Sequence, residues 1–183
     1  MSTLPLVDPD TATGAAAELF AAVQRSFGVT PNMTKTMANS PALLKGYLDL
    51  NRALSAGVLD AATREQIALA VAQDNACSYC LSAHSYLAEH VAHLSADDIT
   101  AARTSTASNP TTAALLGFAT AVNSSRGAIT PDDIAAVRAA GATDEEIAET
   151  IGHVALNVLT NYFNVLTQVN NEWPVVAPRT RAA

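Results

Sequence analysis

What most limits the fold of this chain is a recurring set of helix start signals in alanine-rich sequence that shows no convincing strand alternation. Ser40-Pro41 and Asn109-Pro110 each pair an N-cap residue with a proline at the first helical position. Ser95-x-x-Asp98, Thr130-x-x-Asp133 and Thr143-x-x-Glu146 resemble capping boxes, with Asp a weaker third-position partner than Glu. Gly28, Gly57, Gly127 and Gly141 stand where helices should stop. Of the 183 residues 38 are alanine, and only 5% are aromatic, a composition that favours helices. The signals predict helices near 12–27, 41–55, 60–75, 78–92, 96–104, 110–125, 131–140 and 144–170. The expectation is a single all-α domain over 1–183, with about seven or eight helices, a core at about 40–173 and a flexible C-terminal tail at 174–183. Residues 28–40 form the longest non-helical candidate inside it.

Charge and hydropathy exclude several partner classes. The 10 Lys and Arg against 17 Asp and Glu leave a formal charge of −7, and no basic cluster occurs, which argues against a nucleic-acid partner. The longest purely apolar run, Ile67 to Ala72, is six residues, far short of a membrane span. The start MSTLPLVDPD lacks the basic and apolar regions of a secretory signal, so the expected location is the cytoplasm, where thiols are kept reduced. With two cysteines, this is not a disulfide-scaffold protein.

The chemistry concentrates between Glu65 and His90. Cys77 and Cys80 form C-x-x-C, and His84 follows Cys80 by four residues. On a helix starting at the motif, Cys80 and His84 stand about 40° apart and Cys77 and His84 about 20° apart, so all three share one stripe, continued by Leu87, Ala88 and Val91. An ordinary thiol of pKa about 8.5 is only a few per cent ionised at pH 7. The N–H groups of a helix start and a nearby imidazole can lower it enough to make it about half ionised. As a structural staple the pair would close a four-residue loop, worth roughly 2 kcal/mol before strain, so a redox pair is favoured. Cys77, Cys80 and His84 are also zinc-type ligands, with His153 or water as a fourth, but no second ligand pair follows, so no metal or other cofactor is expected.

Glu65 is open to two readings. Its helical neighbours Ala68, Leu69 and Ala72 are apolar, which is unusual for an unpaired carboxylate. It is either a first-turn Glu favoured by the helix dipole, with Asp60 as N-cap, or a buried carboxyl that passes protons through His84 or water. His90 and His93 read as surface residues near a helix end.

Glu65, then eleven residues, then Cys77-Ser78-Tyr79-Cys80-Leu81-Ser82-Ala83-His84 resembles the carboxymuconolactone decarboxylase / AhpD-like alkylhydroperoxidase superfamily. The segment Gly152 to Phe163 resembles the C-terminal helix of many members, and the likeness spans roughly residues 40–173. The resemblance implies an AhpD-like helical bundle assembled as a dimer, trimer or hexamer. It implies a thiol-dependent peroxidase in which Cys80 attacks a small-molecule hydroperoxide, Cys77 closes the disulfide, and Glu65 and His84 relay protons. A dithiol reductant, of lipoyl type or another, would then restore the pair. General thiol chemistry instead makes the first cysteine of many C-x-x-C motifs the exposed nucleophile. Tyr79 departs from the His that the best-studied peroxidases carry before the second cysteine. Two alternatives stay open: a decarboxylase-type lyase using Glu65 and His84 as acid and base, and a non-enzymatic redox or zinc-binding module.

A last inference comes from missing charge. From Thr150 to Asn171 the chain has no formal charge apart from His153. His153, Asn157, Asn161, Asn164 and Gln168 make a polar stripe, and Ile151, Val154, Val158, Tyr162, Val165 and Val169 an apolar one. Solvent faces normally carry Lys and Glu. The pattern therefore predicts a helix covered on both sides, its amides bonded to other helices or to a partner subunit, and hence a homo-oligomer.

Overall fold

The computed structural model describes residues 2–179, and among these the chain is all-α. The helices run α1 Gly14–Phe27, α2 Asn32–Met37, α3 Pro41–Ser55, α4 Ala61–Asp74, α5 Ser78–His90, α6 Ala96–Ala102, α7 Pro110–Ser125, α8 Pro131–Ala139 and α9 Asp144–Thr167. Of the tail at 174–183, residues 180–183 lie outside the described residues.

Local chemistry starts most of these helices. Ser40, Asp60, Ser95, Asn109, Thr130 and Thr143 each accept a backbone N–H from the first turn that follows. Thr130 with Asp133 and Thr143 with Glu146 close reciprocal capping boxes. Gly28 ends α1 in the left-handed region, at φ 72°.

Helix α2 is a correction to the expected loop at 28–40. Its sequence NMTKTM has modest helix propensity. It forms because Met33, Thr34, Thr36 and Met37 are buried, while Thr34 and Thr36 bond their hydroxyls back to the carbonyls of Pro31 and Asn32.

The core is organised around α4. Gln66 to Ala72 are all buried, as befits a helix apolar nearly all round. It packs against α5, α7, α9 and α6. The Glu149 carboxylate of α9 accepts the N–H groups of Val58 and Leu59, tying the α3–α4 connection to α9. A side chain at Gly57 would run into that carboxylate.

Helix α9 inverts the usual polarity. His153, Asn157, Asn161 and Asn164 are buried within the chain's own fold, whereas Gln168 is exposed. On the other side Ile151, Tyr162, Val165 and Leu166 are exposed, while Val154 and Val169 are buried. The amides meet this chain's own helices, so their burial calls for no partner. The uncovered side is the apolar one.

Candidate functional site at the start of α5

The turn from α4 into α5 is built as a Schellman motif. The Cys77 N–H donates to the Ala72 carbonyl at 2.9 Å and the Ala76 N–H to that of Gln73 at 3.2 Å. Ala76 occupies the left-handed position, φ 53°, usually held by glycine. Asn75 on this turn bonds through its amide to Asn161 of α9 at 3.0 Å and to Asn123 of α7 at 3.2 Å. Asn123 in turn donates to Asp74 at 2.6 Å. This network fixes the turn, and with it the first sulfur, against two other helices.

Cys77 is the N-cap of α5, and its sulfur accepts the Cys80 N–H at 3.2 Å. The two cysteines are joined as a disulfide, with Cα atoms 5.3 Å apart. Because Cys77 has extended rather than helical dihedrals, it leaves the stripe expected to hold all three side chains. Cys80, Ala83, His84, Leu87 and Val91 do form one stripe, and it lines a cavity of about 260 Å3. Ala88, expected on the same stripe, is buried in the core instead. Cys77 and Cys80 are 1% and 2% exposed, and of the two it is Cys80 that lines that cavity.

The remaining walls are mainly apolar and aromatic: Phe27, Met33, Tyr47, Tyr79 and Trp173. The Tyr79 hydroxyl donates to the Glu172 carboxylate at 2.8 Å and accepts the Met33 N–H at 3.2 Å. Burial, and then the Glu172 charge, push its ionisation well above the usual tyrosine range. Tyr47 is raised likewise by burial and the Glu65 charge.

Glu65 faces His84 across α4 and α5, Oε2 to Nδ1 at 2.8 Å, both side chains partly exposed. Asp60 does cap α4, but Glu65 is the fifth residue of the helix and lies beyond its first turn, so the dipole reading fails; the carboxylate is partly buried and paired with His84. A second groove of about 560 Å3 holds Glu65, Arg64, His153 and Asn157, and shares His84 with the Cys80 cavity. His84 thus stands between an apolar chamber containing sulfur and a more polar groove containing a carboxylate. His153 lines the polar groove, where burial and then the Arg64 charge lower its pKa against the opposing pull of Glu149 and Glu65. His90 and His93 are exposed, and His90 stacks on Tyr86 at 4.1 Å. Among the described residues no three His, Cys, Asp or Glu side chains gather to hold a metal ion.

Two contributors were not singled out from the sequence as site residues. Asn164 of α9 donates its amide to Cys80 Sγ at 3.3 Å; its place on an uncharged polar stripe was the available signal. Trp173 arrives from the C-terminal segment, which is held on α5 by bonds from Asn171 and the Val176 N–H to Ser82 Oγ, both 2.9 Å. No local pattern announces that contact.

Residues 41–123 match the model of the carboxymuconolactone decarboxylase family, a span that includes Glu65, Cys77, Cys80 and His84. No curated protein matches the chain. Among solved structures, the chain is similar to an uncharacterised peroxidase-related protein with an AhpD core from Ralstonia eutropha JMP134. The TM-score is 0.82 at 24% identity, covering 93% of this chain and 92% of that one. A peroxidase-related protein from Silicibacter sp. TM1040 gives 0.77 at 22% identity, with 94% and 93% covered. The debrominase Bmp8, as a cysteine-to-alanine variant in complex with 2,3,4-tribromopyrrole, gives 0.75 at 22% identity, with 94% of each chain covered. At these identities the likeness is one of fold. The segment at 41–123 is thus similar to the carboxymuconolactone decarboxylase family, and the fold as a whole is similar to that of the AhpD-like peroxidase-related proteins.

Proposed function

We propose that the protein is a thiol peroxidase that reduces organic hydroperoxides through a Cys77–Cys80 disulfide cycle. The observation that carries this reading is the shared cavity: Cys80 and His84, one turn apart on α5, line the same apolar chamber, with Glu65 behind the imidazole.

The Cys80 thiolate attacks the terminal oxygen of the hydroperoxide. An S–O bond forms, the O–O bond breaks, and the leaving alkoxide takes a proton delivered through His84. Cys77 then displaces the oxygen of the sulfenic acid as water, closing the disulfide. A dithiol, lipoyl-type or similar, reopens it by thiol–disulfide exchange and is itself oxidised to a disulfide. The Glu65 carboxylate holds the His84 Nδ1–H and stabilises the imidazolium that donates the proton. The aromatic walls suit an organic hydroperoxide better than hydrogen peroxide. A cytoplasmic setting would keep the pair reduced between turnovers.

The aromatic lining also favours a second reading, removal of bromine from a small brominated aromatic, one structural neighbour being named a debrominase. We further propose that copies of this chain associate through the exposed Ile151, Tyr162, Val165 and Leu166 side of α9, which carries no charge.

Turnover of cumene hydroperoxide with dihydrolipoamide, beside a bromopyrrole assay, tests these readings. Hydroperoxide turnover that disappears in Cys80→Ser supports the peroxidase. Turnover of the bromopyrrole alone supports the second reading, and lactone turnover untouched by Cys80→Ser would favour a lyase.

A further inference from the structure

The α9 stripe supplies more than packing. Asn164 is 3% exposed and stands between two sulfurs, with Nδ2 3.3 Å from Cys80 Sγ and 3.3 Å from Met33 Sδ. A disulfide sulfur and a thioether sulfur carry no hydrogen to donate, so the NH2 side of the amide must face them. The carbonyl oxygen is the arm of the amide left over. It is buried without a hydrogen-bond partner, and Asn164 lines the cavity with Cys80 and His84. A buried acceptor without a donor is costly and is not kept without a reason. A ligand in the chamber can supply the missing donor.

We propose that Asn164 is a catalytic residue of this site: its amide N–H steadies the Cys80 thiolate, and its carbonyl oxygen receives the terminal O–H of the hydroperoxide. The inference rests on the peroxidase reading and deepens it. An organic hydroperoxide bears one O–H, on the terminal oxygen that sulfur attacks. A bond from that hydrogen to Oδ1 sets the oxygen beside Sγ. When the S–O bond forms and the O–O bond breaks, the transferred oxygen keeps its hydrogen. Cys80 is oxidised to a sulfenic acid whose O–H still meets Oδ1, and the peroxide is reduced to an alkoxide that takes its proton through His84. One amide thus serves both the nucleophile and the atom it attacks, from reactant to product. Met33 positions it, since the thioether takes the second amide hydrogen.

The test uses the full chain with Cys77→Ser as parent, which leaves Cys80 as the single thiol. Thiolate absorbance is followed against pH, and alkylation by iodoacetamide is timed at pH 7. Adding Asn164→Ala is expected to move the thiolate midpoint up by about one pH unit and to slow alkylation about tenfold. At a pH where the thiol is fully ionised, oxidation by cumene hydroperoxide should still slow about tenfold, because the oxygen is no longer held. Asn164→Asp keeps the shape and Oδ1 but replaces the donor with a charge, so its midpoint should rise at least as far. It also keeps the test alive should the alanine variant fold poorly. A purely structural Asn164 would lower the melting temperature without moving the midpoint. A midpoint equal to the parent's in both variants overturns the proposal. A parent that titrates normally yet ignores the hydroperoxide overturns the peroxidase reading and the carbonyl's part, and the midpoint alone then decides the N–H's part.

Discussion

The Nδ1 of His84 lies 2.8 Å from Oε2 of Glu65, so the imidazole beside the sulfur chamber is gripped from the polar groove behind it. A carboxylate in that position fixes the tautomer of a neutral ring and stabilises a protonated one. Glu65→Gln keeps a hydrogen-bonding group but removes the charge. It should slow single-turnover oxidation by hydroperoxide about ten- to a hundredfold at pH 7, with iodoacetamide alkylation of Cys80 changed far less. Stopped-flow fluorescence beside alkylation timing reads the two effects apart. Equal slowing of both would mean that Glu65 acts on the thiol rather than on proton delivery.

His153 should couple folding to pH. Its folded pKa lies below the ordinary histidine value because of burial and the Arg64 charge. The unfolded chain therefore takes up the proton first as pH falls. Stability is full above about pH 6.5 and is lost as the pH drops from there toward the folded value. Thermal unfolding between pH 8 and pH 5 should show this decline, and His153→Gln should flatten it. An unchanged slope in the variant would assign the decline to other groups.

Ala76 sits in the left-handed position of the turn before Cys77. Glycine there relieves a steric cost at some expense in chain entropy, for a net gain of about 0.5–1 kcal/mol. Ala76→Gly should raise the melting temperature by about 1–4 °C. A fall would show that the added backbone freedom outweighs the relief.

The exposed side of α9 predicts self-association. Tyr162→Glu combined with Leu166→Glu should lower the mass seen by light scattering to that of one chain, with little loss of helix content. A parent that is already monomeric at working concentration would remove the reason for the uncovered face.

Helix starts were legible in the sequence because capping chemistry is local: Ser40, Asn109, Thr130 and Thr143 announce their helices within a few residues. Helix α2 was not, since what holds Met33, Thr34, Thr36 and Met37 is burial by distant segments. The same division runs through the candidate site. The spacing of Cys80 and His84 on one helix face could be read directly, and both line the cavity. The placing of Cys77 could not, because an N-cap takes extended dihedrals that break the helical count. For Glu65 the pattern left open whether it had a partner, and the answer, His84, depends on how α4 packs on α5. The amide stripe of α9 showed that something unusual was covered. Which amide meets sulfur follows from the packing of α9 on α5.

The central claim is that Cys77 and Cys80 cycle between dithiol and disulfide at the expense of a peroxide bond. Its most direct measurement is to mix the fully reduced protein with one equivalent of cumene hydroperoxide, count the remaining thiols over time and map the modified sulfurs by mass spectrometry. The account predicts the loss of two thiols per peroxide and a Cys77–Cys80 disulfide in the wild type, with a single oxygen on Cys80 in Cys77→Ser. Thiols that persist while the hydroperoxide remains intact, or an oxygen that settles on Cys77 first, would contradict it.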